Sequence, residues 1–443
     1  MMVTNCATTR ADIGMHVVRT VGRASLGALA LCGALVAPLA AQQPGVRVGL
    51  TYDARAGKPG VLVLPVSGTA GDSIRAIVAR DLDHGDRVTV LPPSATLGAP
   101  RAGAPLNYAL AARLGAAGIV QATLRGTALE IVLHDVAQAR VLERTTVTLP
   151  ATPLAPAWRR AVHVASDQLE EWITGVRGIA ASRIAYALAG RIWIIDSDGA
   201  NATAVTGTGA LSPSWHPLGE QIAYAELEAT GSAIRVTDVR GGTRTIVEPR
   251  GLNISPAFTP DGTGIAYAHG EDVGTDLWLA PAGGGRGARI ALGRGSDNTS
   301  PTFSPDGRRI AFTSGRAGYP DVYLADADGT NIDVLAPRGA GSGSYRASPD
   351  WSPDGRAVAF QSRIDGRFQV MTATLRDRDV QRITAEGANE DPSWAPDARH
   401  LVVSSTRSGA RQLWVIDTQT GRARQLTRAA GGRLPAWSPR LGR

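Results

Sequence analysis

A repeated eight-residue motif dominates the second half of the 443-residue chain. Each copy has a proline, an aromatic residue two positions later and a turn, as in the stretch from Ser300 to Gly307, SPTFSPDG. The first prolines of the six copies stand 43 to 48 residues apart, at Pro213, Pro256, Pro301, Pro349, Pro392 and Pro435. A period in the forties that contains short strands and turns is typical of β-propeller blades. The sequence therefore predicts an all-β six-bladed propeller.

The two ends of the repeat array predict how the ring closes. The sixth motif, which contains Trp437, has no further strands after it, whereas strand-like segments at 184–186, 192–195 and 203–206 precede the first motif. We expect the sixth blade to combine one inner strand from the C-terminal motif with these three earlier strands. Such closure joins the ring and leaves no open first or last blade.

The segment between the N-terminus and the ring has a different pattern. Strand-like runs at 61–64, 119–124, 128–134 and 141–149 are mixed with helical periodicity at 73–83, 107–114 and 156–175. This mixture predicts a small α/β domain over residues 46–176, followed by the propeller over 179–443.

The first 41 residues have the pattern of a secretory signal peptide. Arginines precede an apolar run from Leu26 to Val36, and small residues such as Ala40 and Ala41 follow it. Cleavage there removes Cys6 and Cys32, the only two cysteines, so the mature chain is expected to lack disulfides and thiolate sites. We predict an exported, periplasmic protein, at most peripheral to the outer membrane, and a monomer.

The basic balance of the chain does not indicate nucleic-acid binding. The net charge is +7, but Lys58 is the only lysine and no block of five or six basic residues occurs. A basic patch or stripe would be expected in a nucleic-acid-binding chain.

The sequence also lacks the usual marks of catalysis. There is no Gly-x-Ser-x-Gly and no HExxH, and the six histidines after residue 41 are scattered without metal-ligand spacing. Two fragments, at 196–199 and 326–329, partly match a calcium loop but lack a glutamate at the twelfth position, which favours blade turns. We predict no enzymatic activity, no metal site and no cofactor.

Several stretches make the chain similar to a known family. These are Thr174-Gly-Val-Arg-Gly178 before Arg183, Asn298-Thr-Ser-Pro-Thr-Phe303, and the C-terminal Pro435-Ala-Trp-Ser-Pro439. With a signal peptide, a small α/β domain and six units, the chain resembles the TolB family of the periplasmic Tol–Pal system over essentially its whole mature length.

The resemblance implies a protein-binding scaffold that supports outer-membrane integrity and constriction during cell division. It implies that a TolA-like protein binds the extreme N-terminal segment, here Val46, Val48, Leu50 and Tyr52. The alternation of apolar residues could let this segment join a partner's sheet edge. An ordinary edge strand within its own domain is the alternative.

The resemblance also implies that a Pal-like peptidoglycan-associated lipoprotein binds one face of the propeller. We expect that face at the loops before each motif proline, because the inner strands begin there. The residues predicted to border the channel mouth are Asn253, Ser255, Asn298, Thr299, Asn389 and Glu390. Leu252 departs from the polar residue expected at its position, and solvated loop residues are the alternative for the six.

Two other classes remain open at the sequence level. One is a generic exported propeller that binds a peptide, a glycan or a small ligand in its channel. The other is a relative of propeller peptidases, which the absence of a visible nucleophile disfavours.

Overall fold

The computed structural model of the chain describes residues 49–52, 57–92, 105–239, 241–270, 274–293, 297–337 and 345–441. In these ranges it has one five-stranded sheet with three helices, and six four-stranded sheets. The predicted fold class, a six-bladed propeller with a small α/β region, is confirmed. The predicted signal peptide lies outside the described residues.

The α/β region is a mixed sheet with two long helices on one face. Its elements are β1 (Gly60–Val63), α1 (Gly71–His84), β2 (Thr89–Val90), α2 (Tyr108–Arg113), β3 (Ala116–Arg125), β4 (Ala128–Asp135), β5 (Arg140–Thr148) and α3 (Pro156–Thr174). The strand order is β2-β1-β3-β4-β5, with β1 parallel to both of its neighbours and the β3-β4-β5 meander antiparallel.

The helices lie where the sequence predicts them, because their apolar residues recur on one face. In α1, Ile74, Ile77, Val78 and Leu82 are buried, and they share one core with the inner face of α3. Helix α3 begins with Pro156. Proline is tolerated there because backbone N–H groups of the first turn have no hydrogen-bond partner within the helix. The helix ends before Gly175, whose φ of 77° suits a left-handed cap.

The propeller strands follow in chain order. Before the first motif come β6 (Arg183–Leu188), β7 (Arg191–Asp196) and β8 (Thr203–Ala204). Blade 1 is β9 (Ala210–Trp215), β10 (Gln221–Glu228), β11 (Gly231–Asp238) and β12 (Thr243–Val247). Blade 2 is β13 (Leu252–Phe258), β14 (Gly264–Gly270), β15 (Asp276–Pro281) and β16 (Ala288–Arg289). Blade 3 is β17 (Thr299–Phe303), β18 (Arg309–Ser314), β19 (Asp321–Asp326) and β20 (Asp333–Val334).

The last three blades complete the ring. Blade 4 is β21 (Arg346–Trp351), β22 (Ala357–Ile364), β23 (Arg367–Thr374) and β24 (Val380–Arg382). Blade 5 is β25 (Asn389–Trp394), β26 (His400–Ser408), β27 (Ala410–Asp417) and β28 (Ala423–Gln425). Blade 6 joins β29 (Arg433–Trp437) to β6, β7 and β8, and Trp437 pairs with Ile184. This is the closure that the sequence predicts.

Each motif supplies an inner strand and the turn after it. In blade 3, Gly307 N donates to Ser304 O over 2.8 Å, and the Ser304 hydroxyl donates to Asp306 over 2.6 Å. Gly307 has a φ of 71°, which a residue with a Cβ adopts only with strain. The local chemistry of Ser-Pro-Asp-Gly therefore fixes the reversal into β18.

Helix α3, the longest helix in the described ranges, carries many polar residues. No helix in those ranges is long and apolar enough to cross a membrane.

Candidate partner-binding face and channel

The six inner strands surround a channel with a cavity of about 490 Å³. One residue of each motif, the one before the first proline, contributes to its lining. These six residues are Ser212, Ser255, Ser300, Ser348, Asp391 and Leu434. This ring of six is therefore mostly hydroxyl-bearing, with one carboxyl and one apolar side chain, whereas prolines and aromatic residues of the motifs make up much of the remaining lining.

All six of these lining residues have a left-handed backbone conformation. Their φ values lie between 50° and 53°. Each lies at a break in the pairing register of its inner strand, which is the geometry of a β-bulge. Non-glycine residues in this region carry strain. The motif prolines are visible in the sequence, whereas this repeated bulge is not predicted from it.

Two carboxyl groups that line the channel have raised pKa values. Burial raises the pKa of Asp350 to about 6, although its Oδ2 accepts from Trp394 N over 2.7 Å. Burial, with the neighbouring Glu390 carboxylate, raises the pKa of Asp391 to about 6. The Ser348 hydroxyl lies 3.4 Å from Asp391 Oδ1. Near neutral pH these groups give the channel a negative, titratable lining.

Three of the six predicted face residues are buried inside their blades. Asn253, Asn298 and Asn389 have no exposed surface. Asn253 Nδ2 donates to Ser232 O over 2.6 Å, and Asn389 Nδ2 donates to Gln369 Oε1 over 3.0 Å. The amides of these asparagines are used inside the blades.

Ser255, Thr299 and Glu390 are half-buried and offer surface at this face. Glu390 accepts two hydrogen bonds of 2.9 Å from the guanidinium of Arg411. A bidentate pair of this kind fixes the carboxylate's orientation. Thr299 is the first residue of β17 and pairs with Thr313. These three positions remain the candidates for direct contact.

The predicted N-terminal partner segment is only partly described. Val46 and Val48 lie outside the described residues. Leu50 is buried in the core of the α/β region, whereas Tyr52 is 42% exposed. Thr51 N donates to Asp135 Oδ2 over 2.9 Å, so the described part of the segment is anchored beside β4. Residues 49–52 form no strand.

Two groups of histidine and carboxylate side chains meet where the α/β region contacts the propeller. One contains His163, Asp196 and Asp198, and the other contains Asp86, His400 and Asp417. Sequence spacing could not reveal them, because each group draws on distant parts of the chain.

Arginines already bind the carboxylates in both groups. Asp198 accepts from Arg80 and Arg159, and Asp417 accepts from Arg399 over 2.9 and 2.6 Å. A divalent cation would have to displace these guanidinium groups. The chemistry of the donor set therefore fits ion-pair networks better than metal centres.

A closed six-bladed propeller with a central channel, next to a small α/β region, defines the class of protein. The sequence model of the PD40 family, described as the TolB β-propeller domain, matches residues 170–441. The chain belongs to this family.

Curated relatives carry the same family name. The Tol-Pal system protein TolB of Xanthomonas campestris strain B100 is 32% identical over 253 residues, covering 51% of this chain and 55% of that protein. The protein of the same name from Xylella fastidiosa strain 9a5c is 30% identical over 248 residues, with the same coverage. The chain spans about half the length of the curated relatives it matches.

The comparison with solved structures extends over more of the chain. The crystal structure of TolB from Acinetobacter baumannii has a TM-score of 0.75 and 25% identity, and the match covers 86% of this chain and 97% of that one. A chain of the nidogen/laminin complex has a TM-score of 0.50 at 10% identity, covering 59% of this chain and 100% of that one, which reflects the propeller fold alone.

Proposed function

We propose that this protein is a periplasmic scaffold of a Tol–Pal-like system with no catalytic role. The observation that carries the proposal is membership of the TolB propeller family over residues 170–441. The likeness to a solved TolB over 86% of the chain supports it, because that match extends beyond the propeller. We further propose a signal peptide over 1–41 and a division into domains at 46–176 and 179–443.

In this proposal a Pal-like lipoprotein binds the channel face, where Ser255, Thr299 and Glu390 offer surface. A TolA-like partner binds the segment that includes Val46, Val48 and Tyr52. The scaffold acts as a monomer and supports outer-membrane integrity and constriction. The exposure of Tyr52, 42% of its surface, supports the N-terminal part, because a partner could reach that side chain.

The test is a calorimetric titration of residues 42–443 with the periplasmic domain of the same organism's Pal homologue. Thr299→Arg places a long charged side chain on the proposed face, and we expect it to weaken binding at least about tenfold, or 1.4 kcal/mol. Thr330→Arg is the matched control. It makes the same substitution in the same blade, in the exposed turn before β20, and should leave affinity unchanged.

Two results would count against the proposal. Absence of binding heat at any concentration would contradict the proposal that a Pal-like lipoprotein binds this protein. Equal weakening of binding by Thr299→Arg and Thr330→Arg would contradict the proposal that the partner binds the channel face.

The channel favours a second candidate function. A cavity of about 490 Å³, whose lining combines prolines and aromatic rings with hydroxyl groups and two acidic side chains, suits a small cationic ligand. If the Pal homologue does not bind, a thermal-shift screen of amines and cationic peptides tests this function. A ligand that raises the melting temperature of the native chain but not of Asp391→Asn would indicate binding in the channel, whereas no shift with any compound would indicate a pore with a structural role only.

A further inference from the structure

The contact between the α/β region and the propeller contains two histidines that are each flanked by two carboxylates. His163 on α3 has Nδ1 2.7 Å from Asp81 Oδ2 and Nε2 3.7 Å from Asp198 Oδ2. Asp81 belongs to the α/β region, whereas Asp198 lies in the turn after β7 of the propeller. His163 thus links one carboxylate on each side of the contact.

His400 repeats this arrangement from the opposite side. At the start of β26, its Nδ1 lies 2.8 Å from Asp397 Oδ2 and its Nε2 lies 3.3 Å from Asp86 Oδ2. Asp397 belongs to the propeller and Asp86 follows α1 in the α/β region. Both imidazoles are only 1% exposed. We call His163, His400 and these four aspartates the histidine interface.

The geometry favours the charged form of both imidazoles. A neutral imidazole carries one N–H and can donate to only one carboxylate, so the other nitrogen would turn a lone pair toward a negative oxygen. An imidazolium donates from both nitrogens. Only the protonated histidine therefore attracts the carboxylate on each side of the contact.

We propose that the histidine interface is a pH-controlled latch, which holds the α/β region on the propeller when His163 and His400 are protonated and loosens when they lose their protons. This inference goes beyond the proposed scaffold function and does not depend on the identity of any partner.

Other charged groups face each histidine. Those facing His163 are Arg80 of α1, Arg159 of α3, Asp196, and Arg424 of β28. Those facing His400 are Arg87, Glu170 of α3, Arg399, Asp417 of β27, Arg422, and Lys58, whose Nζ lies 3.6 Å from Asp86 Oδ1. The arginines bind the surrounding carboxylates, and the imidazoles can change charge near neutral pH.

The direction of the histidine shifts agrees with the latch. Burial acts to lower the pKa of His400, but the hydrogen bonds with Asp397 and Asp86 outweigh it and the pKa is raised. For His163, burial is likewise outweighed, by Asp81 and Asp198. A raised histidine pKa stabilises the closed contact below about pH 6.5, and this stabilisation is lost as pH rises through the folded value.

Two buried acids of α3 act in the same direction. Burial raises the pKa of Asp167 to about 7 and that of Glu170 to about 8. Asp167 accepts from Ala180 N over 2.6 Å, in the segment that leads into β6. Loss of either proton places a buried negative charge beside the histidine interface, so the contact again weakens as pH rises.

The test uses a chain that starts at Gln42, which contains every described residue and neither cysteine. Dyes on Asp72→Cys of α1 and Arg376→Cys of blade 4, both exposed, report the separation of the two parts by single-molecule energy transfer. We expect an open population that grows between pH 6 and 8.5. The open-to-closed ratio should rise about tenfold per pH unit for each proton that opening releases.

The double substitution His163→Gln and His400→Gln removes the titration of the two imidazoles while keeping hydrogen-bonding groups. We expect the pH response to become shallower and to keep only the part that comes from Asp167 and Glu170. His84→Gln is the matched control. His84 lies at the end of α1 beside Arg424, and burial lowers its pKa to about 3, so it is neutral throughout the range. The native response should survive in that variant.

If the double variant does not fold, Glu170→Gln provides a second measurement, because its permanently neutral side chain should hold the contact closed to higher pH. An energy-transfer distribution that is the same at pH 6 and 8.5 would overturn the latch. So would a native response in the histidine double variant, or one that is lost in His84→Gln.

Discussion

Trp437 donates its indole Nε1 hydrogen to the Ser182 hydroxyl oxygen over 2.7 Å. The bond joins the last inner strand to the residues just before β6, and it reinforces the strand pairing that closes blade 6. Because both side chains are buried, no water replaces the lost partner when one of them is removed.

Replacement of Trp437 by phenylalanine should therefore destabilise the propeller by about 1–2 kcal/mol, measured by urea unfolding. Trp351→Phe is the matched control. Trp351 holds the same motif position in blade 4, but its Nε1 has no hydrogen-bond partner among the described residues. A loss in Trp351→Phe as large as in Trp437→Phe would show that ring size, and not the hydrogen bond, sets the cost.

Asp198 should be critical for stability although it lies in a turn. Its buried carboxylate accepts from Arg80 and Arg159 of the α/β region, so Asp198→Asn leaves two guanidinium groups without their anion. We expect a loss of about 3 kcal/mol or more in the free energy of unfolding.

The same substitution at Asp328 tests this explanation. Asp328 occupies the equivalent turn of blade 3, where Thr330 is its hydrogen-bond partner among the described residues. Asp328→Asn should cost less than about 1 kcal/mol. Equal losses at the two positions would mean that turn geometry, rather than the contact with the α/β region, determines the effect.

Glu170 should make the free energy of unfolding fall as pH rises from about 4.5 to about 8. Its pKa is about 8 in the folded chain against 4.5 in the unfolded chain, so its contribution is present at low pH and is lost as pH rises toward 8. Glu170→Gln should be more stable than the native chain at pH 9, by about 1–3 kcal/mol, and should show a flatter profile. Unfolding in urea at pH 5, 7 and 9 measures this, and a native-like slope in the variant contradicts it.

The acid side of the same profile has a different origin. Hydrogen bonds and charge from His400 outweigh burial and lower the pKa of Asp397 to about 2. Its contribution is present above the unfolded pKa of about 3.8 and is lost as pH falls toward 2. We expect Asp397→Asn to remove part of the acid-induced loss of stability between pH 4 and pH 2, measured by circular dichroism.

The bulge residues of the channel wall should tolerate glycine. Ser300 has a φ of 51°, so Ser300→Gly relieves strain that offsets the greater flexibility of the unfolded chain. We expect a change within about 0.5 kcal/mol of zero, or a gain. Ala257→Gly, in the extended part of another inner strand, should cost about 1 kcal/mol, and the reverse order would argue against strain at the bulge.

The blades could be predicted from sequence because each blade depends on local chemistry. The turn from Ser304 to Gly307 is fixed by residues within four positions of one another, and the alternating strands follow directly. Even the closure of blade 6 could be predicted, because one end of the array has three strands without an inner strand and the other end has an inner strand without the other three. The two-residue strand β2 was missed because a pair such as Thr89 and Val90 carries no periodicity.

The contacts between distant segments could not be predicted. Asp198 and Asp328 occupy the same position of the same turn, yet only Asp198 meets the α/β region. His163 and His400 looked scattered because Asp81, Asp198 and Asp86 come from distant segments of the chain, and only Asp397 is a sequence neighbour of its histidine. Asn253 was expected at a channel mouth from its position before a motif, but its amide is used inside the blade. Ring position and packing, rather than the motif, decide these roles.

Closure by β29 also has a consequence for the order of folding. The contact between Ser182 and Trp437 spans 255 residues, so β6, which can pair with β7 early, must wait for nearly the whole propeller to be synthesised before it gains β29 on its other edge. Contacts over such separations form slowly, and an unpaired strand edge can associate with another chain in the meantime. Blade 6 is therefore the point at which nascent molecules are most exposed to intermolecular strand exchange, and where a chaperone would protect them best.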